Sequence, residues 1–338
     1  MKVLVVTGPG RASIEDVASP VPSAGEVVVD VQRAGICGTD MELFSGEMQY
    51  LHDGNAAYPL RIGHEWMGTV ASVASDVDPS WIGRRVTGDT MIGCGICERC
   101  RNGFHHVCAF RFELGVRGGM PGALAEQVAV PVTSLHTLPA SVDDAAGAMV
   151  EPGGNAWRSV DAAQLRSGER ALILGPGTIG LLCAMFARAA GAEVHLMGRA
   201  GRSLDFARSL EWDGVWTAEE LPDKPWHAVI DASNAPDLPA RALELVEPGR
   251  RVVHVGLAGS PSFVDTRTIA LKDVTAVGIL GASAGLDPTI AAFADGSVDP
   301  RPLVASTIFL EDLPQVLAGR RPSDSGPGPK IHIDTTAQ

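Results

Sequence analysis

A glycine-rich turn between a buried strand and a helix is the feature that most constrains the fold of this chain. The run Arg170–Leu174 is short and apolar, as buried strands are, and the sequence Gly-Pro-Gly-Thr-Ile-Gly follows it at residues 175–180. A helical stretch continues from there to Ala190. Such glycines permit a tight turn and a close backbone approach to a phosphate, which the helix N-terminus attracts. The pattern therefore predicts a dinucleotide site. Its candidate residues are Gly175, Gly177, Thr178, Ile179 and Gly180.

The two parts of the chain differ in the pattern of their apolar residues. Up to about residue 155, runs rich in β-branched residues alternate with turn residues, which predicts a β-rich, barrel-like unit. Further on, short buried strands at 193–197, 227–232, 251–257 and 274–280 are separated by helical or loop segments. This alternation predicts an α/β fold with a doubly wound parallel sheet. A Pro/Gly/Ser-rich loop, 319–329, precedes a last strand, Lys330–Asp334.

Charge and hydropathy exclude several classes of function. The formal net charge is −13, and the arginines are scattered rather than clustered, so no nucleic-acid partner is expected. The apolar run near the N-terminus is too short for a signal peptide, and the stretch 178–190 falls short of a membrane span. We therefore expect a cytoplasmic protein without a membrane partner. In that reducing compartment the six cysteines need an explanation other than disulfides.

Four of the cysteines form a compact array with the spacing of a zinc site. They follow the pattern C-x2-C-x2-C-x7-C, in which two-residue spacers let successive thiolates point inward from one loop. Cysteines this close are poorly placed for disulfides, which demand specific Cα separations. Because four thiolates complete a tetrahedron, this zinc is predicted to be structural rather than catalytic. Its ligands are Cys94, Cys97, Cys100 and Cys108.

A second set of potential ligands is dispersed along the chain. Cys37 lies in Gly-Ile-Cys-Gly-Thr-Asp, His64 and Glu65 lie in Gly-His-Glu-Trp-Met-Gly, and Glu151 precedes a proline just before the α/β pattern begins. Each residue alone is weak evidence for a metal site. Together they offer one sulfur, one imidazole nitrogen and carboxylate oxygens, a mixed set that suits a catalytic zinc with an open position.

With these motifs in this order, the chain resembles the zinc-containing medium-chain alcohol dehydrogenase family over essentially its whole length. Glu151, in place of a third catalytic cysteine, is similar to the polyol (sorbitol) and threonine dehydrogenase branch. The resemblance implies a GroES-like catalytic domain, residues 1–155 and 290–338, and an inserted Rossmann domain, residues 156–289. It also implies association into a homodimer or homotetramer through the edge of the nucleotide sheet.

The resemblance also assigns roles to the residues of the second metal site. It makes Cys37 and His64 ligands of the catalytic zinc, and it leaves open whether Glu65 or Glu151 is the third protein ligand. Asp40 would be the carboxylate that orients His64, as metal-bound imidazoles require. An alcohol would lose its proton beside the zinc and then pass a hydride to the nicotinamide.

Thr39 matches the hydroxyl that passes the alcohol proton outward in this family. A competing interpretation is that Thr39 and Glu42 form an S/T-x-x-E capping box at the start of a short helix. Many relatives carry a histidine next in the relay, whereas this chain has Met41 and Glu42. The proton route beyond Thr39 is therefore left open.

The strand after the glycine turn ends in a sequence that favours NADP over NAD. NAD-binding folds usually place an acidic residue there to bind the ribose 2′-hydroxyl, but this chain has Gly198 followed by Arg199. We expect Gly198 to make room for a 2′-phosphate that pairs with Arg199 or Arg202. The alternative is a solvated Arg199 in an enzyme that accepts NAD without a carboxylate.

The expected substrate is a small secondary alcohol or ketone, either a polyol, a sugar or an amino sugar. Asp40, Glu42, Glu47 and Asp53 lie in a segment that borders the substrate pocket in this fold and could hold an amine. Around Gly63 the chain also resembles aminocyclitol (2-deoxy-scyllo-inosamine) dehydrogenases of aminoglycoside pathways. Two alternatives remain open: a zinc-independent quinone or enone reductase of the same superfamily, and a non-catalytic NAD(P)-binding relative.

Overall fold

The structure is a computed structural model that describes residues 1–336. Its strands, in chain order, are β1 (Lys2–Gly8), β2 (Arg11–Asp16), β3 (Glu26–Gly35), β4 (Glu65–Val73), β5 (Arg85–Gly88), β6 (Met91–Ile92), β7 (Phe112–Glu113), β8 (Gln127–Pro131), β9 (Leu135–Thr137), β10 (Arg170–Leu174), β11 (Glu193–Met197), β12 (Gly214–Trp216), β13 (Trp226–Asp231), β14 (Val246–His254), β15 (Thr275–Gly278), β16 (Val304–Phe309) and β17 (Lys330–Asp334). Its α-helices are α1 (Gly38–Ser45), α2 (Gln49–His52), α3 (Glu98–Arg101), α4 (Asp144–Gly147), α5 (Val150–Ala163), α6 (Thr178–Ala189), α7 (Arg202–Arg208), α8 (Leu238–Leu245), α9 (Thr266–Leu271), α10 (Leu286–Asp295) and α11 (Leu313–Leu317).

A six-stranded parallel sheet forms one half of the molecule. Its strand order is β12-β11-β10-β13-β14-β15, and every neighbouring pair is parallel. The order reverses between β10 and β13, which opens a crevice at the carboxyl ends of the strands where ligands bind in such sheets. The predicted doubly wound sheet is confirmed, although β12, only three residues long, had no recognisable signal in the sequence.

Both faces of this sheet are covered, as its uninterrupted apolar strands predict. Ile173 of β10 packs into a core with residues of α5 and α6, whereas its neighbours Leu172 and Leu174 pack on the other face with residues of α8. All three side chains are completely buried. Burial on alternate faces fixes the register of β10, because a slip of one residue would exchange the two faces.

A seven-stranded, mainly antiparallel sheet forms the other half. Its order is β16-β17-β3-β4-β5-β9, with β8 paired to β3. The C-terminal strand β17 has the predicted bounds and returns to pair with β3 near the N-terminus. The β-branched run that ends at Pro131 forms β8, which begins at Gln127. The expected β-rich unit is confirmed.

Two helices join the halves. The first turn of α5 lies at the seven-stranded sheet, and its later residues pack against α6 of the six-stranded sheet. Gly153 of α5 lies so close to Thr289 and Phe293 of α10 that an added Cβ would approach them to 2.6 and 3.0 Å. The domain boundaries expected at 155 and 290 thus fall inside these two helices. No helix among residues 1–336 is long and apolar enough to cross a membrane.

Candidate active site

The dispersed residues Cys37, His64 and Glu65 are brought together by the pairing of β3 with β4. These strands are antiparallel, and Gly35 at the end of β3 faces Glu65 at the start of β4. Cys37 therefore lies beside His64, although 27 positions separate them in the sequence. One ligand atom from each of the three side chains lies within 4.8 Å of the others. This sulfur, nitrogen and oxygen set fits a zinc ion with one position left open.

Asp40 connects the two segments that carry these residues. Its side chain is completely buried, Oδ2 accepts a hydrogen bond from the Cys37 N–H (2.9 Å), and Oδ1 accepts one from the Gly63 N–H (3.1 Å). Oδ1 also lies 3.6 Å from Nδ1 of His64. The carboxylate thus stands on the Nδ1 side of the imidazole, which leaves Nε2 for a metal.

The N-terminus of helix α1 decides whether Thr39 forms a capping box with Glu42. Cys37 is the N-cap of α1, and the carboxylate that reaches back to the N-cap backbone belongs to Asp40. Thr39 lies inside the first turn, so the proposed capping box of Thr39 and Glu42 is wrong. Because Asp40 is buried and engaged through both oxygens, it is also unable to hold a substrate amine.

Glu65 has a partner that the sequence analysis missed. Nζ of Lys330 donates to Oε1 (2.8 Å) and Oε2 (2.6 Å) of Glu65 and to the carbonyl oxygen of Ile36 (2.9 Å). Both charged side chains are buried, with 1% of Glu65 and 3% of Lys330 exposed. Burial alone would lower the pKa of Lys330, but the charges of Glu65 and Cys37 raise it above its ordinary value. The lysine that begins the last strand, next to the apolar Ile331, was the available signal.

Glu151 stands beside this group rather than within it. The first turn of α5 carries it, and its Oε1 accepts a hydrogen bond from Nδ2 of Asn155 (3.0 Å). Burial raises the pKa of Glu151 to about 7, against the opposing effect of His64. In His64, by contrast, the charges of Asp40 and Cys37 outweigh burial and raise the pKa well above its ordinary value. The negative charges of Asp40 and Cys37 that raise the pKa of His64 would also attract a cation.

The four-cysteine array folds into a separate lobe. Sγ of Cys94 lies 3.9 Å from Sγ of Cys100, and Sγ of Cys97 lies 3.7 Å from Sγ of Cys108. The edge of a tetrahedron with zinc–sulfur bonds of about 2.3 Å is about 3.8 Å long, so these thiols fit one zinc ion. They are all free thiols rather than disulfides. The sixth cysteine, Cys183, is buried in α6 away from both sites.

The glycine turn has the geometry that a dinucleotide requires. Gly175 has a φ of +94°, a conformation that side chains disfavour, and a Cβ on Gly180 would lie 1.9 Å from the carbonyl oxygen of Gly175. Gly177 is exposed, and a Cβ there would meet nothing within 4 Å. Thr178 and Ile179 then begin α6, whose N-terminus faces this open space. The residues present therefore fit a pyrophosphate.

Gly198 does not provide the space for a 2′-phosphate that the sequence predicted. A Cβ at this position would lie 2.6 Å from Cδ of Pro176, so the space beside Gly198 is filled by the glycine turn and is not free for a phosphate. Arg199 is exposed. Arg202 begins α7 and donates from Nη2 to the carbonyl oxygen of Gly326 (3.0 Å), which belongs to the loop before β17.

The carboxylates expected to hold an amine have different environments. Asp53 accepts a hydrogen bond from Nε2 of Gln49 (2.7 Å), whereas Glu42 and Glu47 are exposed. Partial burial and the charge of Glu47 raise the pKa of Glu42 above its ordinary value. Only Glu42 and Glu47 thus remain as an acidic pair on this surface.

Comparison with known proteins places these sites in context. Residues 23–140 match the family of alcohol dehydrogenase GroES-like domains, and residues 178–295 match the family of zinc-binding dehydrogenases. The chain is 32% identical to a 2-dehydro-3-deoxy-L-galactonate 5-dehydrogenase of Pseudoalteromonas atlantica, over 94% of both chains. Other similar curated proteins are L-threonine 3-dehydrogenases.

Solved structures show the same fold over almost the whole chain. An alcohol dehydrogenase of Escherichia coli, solved as a complex with NADH, superimposes with a TM-score of 0.89 at 26% identity and covers 99% of both chains. A protein of Sinorhizobium meliloti described as a zinc-binding dehydrogenase, solved with NADP, gives a TM-score of 0.88 at 25% identity over the same share.

Proposed function

The chain belongs to the zinc-containing medium-chain alcohol dehydrogenases, in the branch of the polyol and threonine dehydrogenases, and from this premise we propose which residues perform its reaction and on what substrate. Members of this family exchange a hydride between an alcohol and a nicotinamide cofactor. The proposed substrate is a secondary alcohol of a polyol, sugar or amino sugar, or the matching ketone. The observation that carries the proposal is the convergence of Cys37, His64 and Glu65.

These three side chains are proposed to hold the catalytic zinc. When bound, zinc supplies Lewis-acid polarisation of the substrate oxygen. Asp40 binds the backbone N–H of Cys37 and lies 3.6 Å from Nδ1 of His64, so it is proposed to orient the imidazole relative to the sulfur. Glu65 is the proposed third ligand because it is the carboxylate that lies within the group. Lys330 balances its charge, and Glu151 provides a second carboxylate beside the open position.

Thr39 and Glu42 are proposed to carry the alcohol proton to solvent. They lie three residues apart on α1, so they share one side of the helix. Thr39 is half-buried near Cys37, whereas Glu42 is exposed. Burial and Glu47 raise the pKa of Glu42, which brings a carboxylate closer to the range useful for proton transfer. Glu42 thus takes the position after Thr39 in the proton route.

The four cysteines Cys94, Cys97, Cys100 and Cys108 are proposed to hold a second, structural zinc. Their sulfur separations match one tetrahedral ion, and all four thiols are then used.

NADP is proposed as the preferred cofactor over NAD. Support comes from Gly198, which offers no carboxylate to a ribose, and from the arginines at 199 and 202 that follow it.

A homodimer or homotetramer is proposed, formed through the edge of the six-stranded sheet. The edge strand β15 is largely exposed, and so is Leu271, four residues before it, with 86% of its surface accessible. An exposed strand edge with apolar neighbours is a surface that soluble proteins normally cover.

The proposed function is tested with purified protein, a metal count and a substrate screen. Polyols, sugars and amino sugars are offered with NADP and with NAD while nicotinamide absorbance is followed. We expect turnover of one of these classes, loss of activity with a chelator, and a Cys37→Ser variant that is inactive and has lost one zinc. Reduction of quinones or enones that survives removal of the metal would instead establish the zinc-independent alternative.

A further inference from the structure

Two arginines from opposite halves of the molecule converge on one carbonyl oxygen. Arg202 belongs to α7 beside the six-stranded sheet, and Arg321 lies in the loop between α11 and β17 of the other half. Nη2 of Arg202 and Nη2 of Arg321 donate to the carbonyl oxygen of Gly326, at 3.0 and 2.9 Å. Nη2 of Arg321 also donates to the carbonyl oxygen of Gly328. The two guanidinium groups are therefore close neighbours.

These two positive charges have no negative partner within residues 1–336. Neither Arg202 nor Arg321 takes part in an ion pair with a described carboxylate; both bind carbonyl oxygens only. Nε of Arg321 is buried and has no hydrogen-bond partner among the described atoms. Burial and the charge of Arg202 lower the pKa of Arg321. Two neighbouring guanidinium groups with unused donors are the recognition elements of a phosphate.

The position of this pair relates it to the dinucleotide site. Arg202 comes four residues after Gly198, which packs directly on Pro176 of the glycine turn. The end of the second strand of such a fold is where the adenosine ribose is bound. A phosphate on the ribose 2′-oxygen, at the outer end of the crevice, would therefore meet Arg202 first. Arg321 approaches the same point from the opposite half.

We propose that Arg202 and Arg321 together bind the 2′-phosphate of NADP, so that this phosphate is held from both halves of the molecule. The proposal rests on the proposed preference for NADP and adds to it a residue, Arg321, that lies about 140 positions from the glycine turn. Because the two arginines belong to different halves, the phosphate also links them across the crevice. NAD lacks this phosphate and would therefore make no such contact with Arg321.

The test compares two nucleotides that differ only in the 2′-phosphate, adenosine 2′,5′-bisphosphate and adenosine 5′-monophosphate. Their affinities are measured by calorimetry for the full-length protein and for the variants Arg321→Gln, Arg202→Gln and Arg320→Gln. Arg320 is the matched control, because it is the adjacent arginine and is exposed. We expect Arg321→Gln and Arg202→Gln each to weaken binding of the bisphosphate by about 10- to 100-fold, since each removes a charged hydrogen-bond donor. Binding of the monophosphate should be unchanged.

Arg321 also anchors its loop, so a variant that keeps the charge is included. Arg321→Lys should retain part of the affinity for the bisphosphate, whereas a purely structural role would weaken both nucleotides equally in both variants. An unchanged ratio of the two affinities in Arg321→Gln, or an equal effect of Arg320→Gln, would overturn the proposal. The assay needs neither zinc nor an alcohol, so its failure is distinct from a failure of the proposed dehydrogenase reaction.

Discussion

Buried charges determine the chemistry of the candidate active site at the scale of single residues. Lys330 and Glu65 form a pair with almost no exposure to solvent, and Asp40 has no exposure at all. A buried ion pair is expensive to form, but removal of one partner costs still more, because an unpaired charge is left in the interior. These contacts fix the orientation of the Glu65 and Asp40 carboxylates. Of the site's buried carboxylates, Glu151 is the one whose ionised form depends most on a bound cation.

The raised pKa of Glu151 predicts how the stability of the metal-free protein depends on pH. Its pKa rises from an ordinary 4.5 to about 7 in the folded state. Glu151 therefore makes its full contribution to the stability of the folded state below about pH 4.5, and this contribution is lost as the pH rises to about 7. The loss amounts to roughly 3 kcal/mol for a shift of this size. Glu151→Gln should not show this loss.

Urea denaturation of metal-free wild type and Glu151→Gln at several pH values measures this difference. The wild type should lose stability relative to the variant between about pH 5 and 7 and then run parallel to it. Adding zinc should reduce the difference, because a cation compensates the buried carboxylate. Two stability curves that run parallel throughout this range would contradict the assignment.

The position of Glu42 predicts a change in the pH dependence of alcohol oxidation. The carboxylate form accepts the proton, so the rate should rise with pH through the pKa of Glu42. Glu42→Gln should lower kcat by about 10²-fold, at the low end of effects seen for general bases, and should remove that rise. Glu42→His should restore it, shifted towards the pKa of an imidazole.

Glu47→Gln is the matched control for this prediction. It removes the neighbouring charge that raises the pKa of Glu42, so the rise in rate should move to lower pH while kcat at high pH stays unchanged. Steady-state kinetics over pH with a substrate from the screen measure both effects. A pH profile that is the same in wild type and Glu42→Gln would exclude Glu42 from the proton route.

At the scale of elements, the two metal sites are built in different ways. The four cysteines lie within one short segment, so the lobe brings its own ligands together, and its helices are only three or four residues long. The other site depends on the pairing of β3 with β4 and on the return of β17 beside β3. A metal should therefore stabilise the lobe much more than it stabilises the sheet.

Cys100→Ser tests the independence of the lobe. The variant should lose one of two zinc ions by mass spectrometry, and limited proteolysis should then cleave between residues 94 and 112, because the ordered lobe depends on the metal. The six-stranded sheet should keep its nucleotide affinity. Cys183→Ser is the matched control and should retain both ions, since Cys183 lies inside α6. A protease-resistant lobe without zinc would contradict a structural role.

At the scale of the whole molecule, the exposed edge of the six-stranded sheet is the surface through which we propose that copies of the chain associate. Strand β15 has its neighbour β14 on one side only, and Leu271 at the end of α9 is almost fully exposed beside it. Leu257 and Phe263, in the loop after β14, are exposed as well. A second copy of the chain that pairs with β15 would cover the strand edge and these side chains together.

Leu271→Glu should shift the protein from an oligomer towards a monomer. A charge in an apolar contact is costly to bury, and two copies of the new carboxylate would repel each other across a symmetric interface. Light scattering after gel filtration measures the mass. Ile82→Glu, an equally apolar exposed position in the other half, is the control and should leave the mass unchanged. An oligomer unaffected by Leu271→Glu would place the interface elsewhere.

The sequence by itself determined the features that depend on neighbouring residues. The strand, glycine turn and helix at 170–189, the parallel sheet and the cysteine lobe follow from local spacing, because turn geometry and ligand spacing act within a few residues. It also provided the residues Cys37, His64, Glu65 and Glu151 as candidates. It left the choice between the two glutamates open, since that depends on distances in space.

Only the tertiary structure decided the contacts between residues that are distant in sequence. It placed Lys330 on Glu65, made Cys37 the N-cap in place of Thr39, filled the space beside Gly198 with Pro176, and brought Arg321 to Arg202. Each of these contacts depends on which strands pair and how closely the two halves pack. Those are properties of the whole chain, because the burial of one segment is set by all the others.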